Sequence, residues 1–100
     1  MKIELFNMYA TEVCKVFDVE EDEIFVKSKE ATFVDARYLL YYLCSARKIK
    51  ITYIQKYMRE RGYDIPHSTI HYGINQVKKK VHEDQDYQVV IDKINRLCMV

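Results

Sequence analysis

Proline occurs once and glycine twice in 100 residues. That scarcity argues against a chain of turns, linkers or disorder and favours ordered, helix-rich structure. No apolar run nears the roughly 20 residues of a helical membrane span; the densest is Tyr38–Cys44. The opening MKIELFNMYATEVCKVF is interrupted by charge and carries no signal-peptide cleavage pattern, which predicts a cytoplasmic location. Cysteine is odd in number and widely spaced, at Cys14, Cys44 and Cys98, each flanked by apolar residues. No pair has zinc-finger spacing, so buried free thiols are expected in place of a disulfide framework. A glycine-rich phosphate loop is missing, and the chain is too short to hold an ATPase module.

What is present is 49% hydrophobic, enough for one small domain with one core. Periodicity predicts a first helix over 3–17, with Phe6, Tyr9, Ala10, Val13 and Phe17 on one face. Residues 18–26 read as a turn and short helix, capped by Asp18 and anchored by Ile24 and Phe25. A third helix over 32–48 has a wide apolar face, Phe33, Ala36, Leu40, Leu43 and Cys44 with Leu39 beside them, and should be central. A fourth over 51–61 turns Ile51, Ile54, Tyr57 and Met58 inward and stops at Gly62. A last helix over 87–98 aligns Tyr87, Val90, Ile91, Ile94, Leu97 and Cys98. There is no internal repeat or domain linker, and the expected class is all-α.

The most informative stretch is Pro66–Lys80, PHSTIHYGINQVKKK. Proline fits a first helical turn, where a missing N–H costs nothing, and Asp64 can supply the acceptor that starts the helix. Ile70, Ile74, Val77 and Val81 form one buried stripe. His67, Ser68, His71, Tyr72, Asn75 and Lys79 lie off it. Hydrogen-bonding groups at the start of a helix and cations further along suit a DNA recognition helix, with base contacts first and phosphate contacts later.

Each of these features also has a plainer reading. Ser68 and Thr69 serve equally as first-turn residues whose hydroxyls satisfy free backbone N–H groups. Lys78–Lys80 serve equally as a solubilising helix end. The net charge is only +1, but it is segregated: acidic clusters at 20–23 and 83–86, basic ones at 47–61 and 78–80. A basic face is therefore compatible with a balanced total. His67 and His71 stand one turn apart as a metal pair would, but the glutamate of a metalloprotease motif is absent and His82 is read as facing another way. No nucleophile has an oriented base, so no enzyme, metal, cofactor or small-molecule substrate is expected.

A helix, a short turn and a helix opening Pro66-His67-Ser68-Thr69-Ile70 resemble the C-terminal DNA-binding domain of the bacterial replication initiator DnaA. That family's recognition helix opens roughly Asp-His-Thr-Thr-Val. Upstream, Arg37-Tyr38-Leu39-Leu40-Tyr41-Tyr42-Leu43 is similar to the family's Arg-Gln-Val-Ala-Met-Tyr-Leu. The likeness spans about residues 10–95. It implies a five- to six-helix, Trp-repressor-like domain whose helix-turn-helix occupies about 51–61 and 66–82. By position it also implies base contacts from His67, Ser68 and Thr69, with His71 one turn on. Phosphate contacts would come from Arg37, Lys78 and Lys79, and a minor-groove contact from Lys29 in the loop over 27–31. Three departures separate the chain from the family: Pro66 replaces its aspartate, the loop has lost its arginines and gained Glu30, and the turn between the motif helices is longer. The family's target sequence therefore does not carry over.

The expectation is a double-stranded DNA-binding protein associated with the nucleoid, acting in replication control or transcription regulation, with a phage or mobile element as a candidate setting. The alternative is a protein-interaction domain that keeps the fold without DNA binding. Its partner surface would lie on the tyrosine-rich region of Tyr38, Tyr41, Tyr42 and Tyr53. RNA binding lacks a recognised single-strand module.

Overall fold

Six helices make up the computed structural model, which describes residues 2–99: α1 Lys2–Phe17, α2 Glu21–Ile24, α3 Ala31–Ala46, α4 Ile51–Glu60, α5 His67–Glu83 and α6 Gln85–Leu97. The fold is all-α. Helix α3 is its centre, packing chiefly on α5 and α1 and also on α2 and α4. Ala36, Leu39, Leu40, Leu43 and Cys44 are buried there, as the apolar stripe requires. Phe33, expected on that stripe, is only half-buried, because it lies in the helix's first turn beside the α1–α2 turn. All three cysteines are buried free thiols, and burial pushes the Cys14 thiol up to about 11. On α6, Ile91, Ile94 and Cys98 turn inward, whereas Leu97 is exposed. Among the described residues no helix is long and apolar enough to cross a membrane.

Three helices end in the same way. At α4, Gly62 adopts φ 95°; its N–H donates to the Arg59 carbonyl at 2.9 Å and the Tyr63 N–H to the Met58 carbonyl at 2.9 Å. This is the paired-bond motif that satisfies last-turn carbonyls through a left-handed residue. At α1 the left-handed residue is Asp18 (φ 54°), with Val19 N–H on the Cys14 carbonyl at 3.0 Å. Asp18 therefore closes α1 and does not cap α2. That role falls to Glu20, whose N–H donates to the Glu23 carboxylate at 2.8 Å.

At α3 the left-handed residue is Lys48 (φ 65°), with Ile49 N–H on the Cys44 carbonyl at 3.0 Å. A lysine Cβ in this region costs about 1–2 kcal/mol, only part of which is offset by the greater freedom of glycine when unfolded. Lys48→Gly is expected to stabilise the protein by ~0.5–1 kcal/mol, read as a rise of a few degrees in the thermal midpoint. An unchanged or lower midpoint would contradict this account of the α3 terminus.

Two tyrosines are fully buried in the core. Tyr9 donates its hydroxyl to Asn95 Oδ1, tying α1 to α6. Tyr41 is fully buried, and its hydroxyl is the one buried side-chain group without a hydrogen-bond partner among the described residues. Burial drives its pKa far above the usual tyrosine value. The tyrosine-rich partner surface expected from sequence is thus broken up. Tyr41 is inside, Tyr38 and Tyr42 are half-buried, and Tyr53 is exposed but stacked on Tyr57.

Candidate nucleic-acid interface

Helix α5 begins where the chain leaves α4 through residues 61–66. Gly62 turns the backbone, Ile65 is buried, and the Ile65 carbonyl accepts from Gln55 Nε2 at 2.8 Å, so the connection is pinned to α4. Asp64 does not cap α5 as expected; its carboxylate accepts from Arg59 Nε across the turn at 3.3 Å. Pro66 occupies the capping position (φ −77°, ψ 160°), and no side chain caps the helix. The Thr69 N–H donates to the Pro66 carbonyl at 3.1 Å. The amides at the helix start therefore face outward without a side-chain acceptor, an arrangement that suits an anion or base-edge acceptor.

The buried side of α5 is Ile70, Gly73, Ile74 and Val77, with Val81 half-buried. On the opposite side, His67, Ser68, His71, Tyr72, Asn75, Lys78, Lys79 and His82 are all exposed. At 3.6 residues per turn these positions share one broad face. No carboxylate interrupts it before Glu83. His82, expected to face elsewhere, falls on this side too, eleven residues beyond His71 and so about 16 Å along the axis. That separation rules out a metal site shared with His67 and His71. No group of three or more histidine, cysteine or acidic side chains poised for a metal occurs among the described residues.

The lysine run divides by partner. Lys80 donates to Asp35 Oδ1 at 3.2 Å and lies 5.5 Å from the Tyr87 ring centre. Burial works against its charge, but Tyr87 and Asp35 outweigh burial and its pKa is raised. Lys78 and Lys79 make no ion pair among the described residues and are exposed.

Of the residues expected at the site, His67, Ser68 and His71 lie on the exposed face with Lys78 and Lys79. Thr69 stands to one side, half-buried, lining a cleft with Lys27, Ser28 and Lys29. The loop carrying Lys29 is thereby brought beside the start of α5. Arg37 is not at the surface at all. It is 3% exposed, and its guanidinium donates to the carbonyls of Ile24 at 2.7 Å, Ser28 at 2.8 Å and Val26. Its face lies 4.6 Å from the Tyr63 ring centre. Arg37 is therefore no phosphate contact; it holds the loop in place beneath Lys27 and Lys29.

Sequence reasoning missed how Tyr72 is held. Its ring is 57% exposed and is met edge-on by Tyr38 at 6.0 Å between ring centres and 74°. Tyr38 in turn lies over Gly73, where an added Cβ would come within 2.5 Å of its Cδ1 and 3.0 Å of its Cγ. A glycine inside an otherwise helical pattern was the available signal, since it costs about 1 kcal/mol relative to alanine and calls for a packing reason. Gly73→Ala is expected to destabilise by ~1–2 kcal/mol, because overpacking outweighs the propensity gained. With Tyr38→Ala in the same chain, the change should become neutral or stabilising. Equal effects in both backgrounds, measured by denaturant unfolding, would refute the close approach.

No family model matches the chain, and no curated protein or solved structure matches it either.

Proposed function

We propose that the protein binds double-stranded DNA as an initiator-like helix-turn-helix domain without an ATPase, α4 crossing the backbone and α5 entering the major groove. The observation that carries this reading is the exposed face of α5: histidine, serine and asparagine groups at its start and middle, exposed Lys78 and Lys79 beyond, and no carboxylate between them. Such a face offers base-edge donors and acceptors ahead of phosphate neutralisers. The loop held by Arg37 brings Lys27 and Lys29 beside Thr69, in a cleft whose carboxylate, Asp64, is paired with Arg59. On this reading the resemblance to the DnaA C-terminal domain concerns the DNA-reading end alone, and the role is replication control or transcription regulation in the nucleoid. The protein acts by binding, not by catalysis.

The test is salt-titrated binding to a random-sequence duplex pool, with sequencing of the bound fraction. An enriched motif and a steep fall of affinity with salt are expected. His67→Ala and Ser68→Ala should lower the enrichment of particular bases, each contact contributing about 1–3 kcal/mol of discrimination. If His67→Ala weakens binding equally on every sequence, His67 does not read bases. If no duplex binds even at low salt, the proposal fails.

A further inference from the structure

At the far end of α5 the surface changes character. Where α1, α3 and the α5–α6 junction meet, Val16, Phe17, Leu39, Tyr87 and Val90 wall an apolar cleft of about 260 Å³. Its polar rim consists of Asp84 and Asp86. Across Phe17 lies a second cleft carrying Asp18, Glu23 and Glu30. None of these five carboxylates takes part in an ion pair among the described residues. The cation beside Tyr87, Lys80, is already paired with Asp35, and Lys93 lies in the next groove, beyond Val16. The floor is thus apolar and the surroundings carry negative charge that no side-chain cation pairs among the described residues, although Asp84 caps α6 by accepting from the Asp86 N–H at 2.9 Å and Glu23 accepts from the Glu20 N–H at 2.8 Å. The volume is below the roughly 300–1,000 Å³ usual for a small-molecule pocket but ample for a large side chain.

We propose that this cleft docks a basic amphipathic peptide segment of a partner protein. One large apolar side chain of that segment sits among Phe17, Tyr87 and Val90, and its lysines or arginines lie against Asp84, Asp86 and the neighbouring acidic cleft. Charge complementarity selects the partner: a nucleic acid or an acidic peptide would be repelled here, and an uncharged apolar segment would leave the carboxylates without a cation. The site is independent of the DNA reading. Asp84 directly follows α5, whose 17 residues put His67 about 25 Å away at 1.5 Å per residue.

The experiment is an amide-resolved NMR titration of the full chain with a synthetic 14-residue helical peptide bearing leucine on one face and lysine elsewhere, and with its glutamate-for-lysine counterpart. Saturable shifts at Phe17, Leu39, Tyr87 and Val90 with the lysine peptide alone are expected. Asp86→Lys should weaken that binding about tenfold or more, and the milder Asp86→Asn should weaken it less, both with unchanged amide dispersion. Duplex binding, if present, should survive both substitutions, so loss of one activity does not stand in for loss of the other. Equal binding of the two peptides, shifts confined to other surfaces, or no shifts at millimolar peptide would each overturn the proposal. So would self-association that shifts these same amides without peptide, which would make the occupant a second copy of the chain.

Discussion

Replacing Arg37 with methionine is expected to cost about 3–5 kcal/mol, out of a total near 5–15 kcal/mol for a domain of this size. The guanidinium satisfies three carbonyls at the end of α2 and in the loop after it, those of Ile24, Val26 and Ser28. Removing it strands acceptors at a site where Arg37 itself is buried, and each buried acceptor left unmade costs about 1–3 kcal/mol. Methionine keeps the apolar stem, which isolates the loss of the donors. Arg37→Lys should recover little, because a point cation cannot reproduce a fork that reaches three oxygens. Thermal unfolding followed by circular dichroism should show a drop of at least about 15 °C for Arg37→Met. A fall of under ~3 °C in the lysine variant would mean that the loop does not depend on the fork. A phosphate contact would behave oppositely, leaving the midpoint intact and flattening the salt dependence of DNA binding.

That contrast shows what was legible in the sequence. Helical period, the apolar stripes of α1, α3 and α5 and the stop at Gly62 follow from side-chain spacing, and the helices lie where spacing puts them to within a few residues. Arg37 is a phosphate contact by its place in the resemblance, but its phase on α3 is a buried one. It falls one turn after Phe33 and one turn before Tyr41, three residues before Leu40 and seven before Cys44, squarely within the buried stripe. A lone cation at that phase needs acceptors inside the fold, and they came from a loop whose path no local rule predicts. The left-handed ends at Asp18 and Lys48 were illegible for a related reason: the chain's next packing contact sets the turn, not the residue occupying it. Asp64 looked like a cap, but Arg59 claimed its carboxylate. Within the candidate site, the order of residues on α5 was readable from period alone. The bracing of Tyr72 by Tyr38, and the approach of Lys29 to Thr69, depend on how α3 crosses α5.

The lysine run gives the sharpest test of the DNA reading, because three adjacent residues with the same side chain should behave differently. Each lysine that neutralises a phosphate contributes about 0.9 to the slope of log affinity against log salt, equivalent to nearly tenfold in affinity between ~1 M and ~0.1 M salt. Lys78→Ala and Lys79→Ala should each lower the slope by about one and weaken binding about tenfold near 0.1 M. The double variant should lose roughly 50–100-fold on every sequence alike, with no change in stability, since both lysines are exposed and neither is in an ion pair among the described residues. Lys80→Ala should do the reverse. Its ammonium is held by Asp35 at 3.2 Å, with both groups about 40% exposed, so its removal costs at most about 1 kcal/mol of stability and leaves the slope unchanged. If Lys80→Ala instead flattens the slope as much as its neighbours do, binding follows overall charge and not the geometry of α5. If all three variants bind alike and unimpaired, α5 does not carry the phosphate contacts, and the DNA reading loses the face on which it rests.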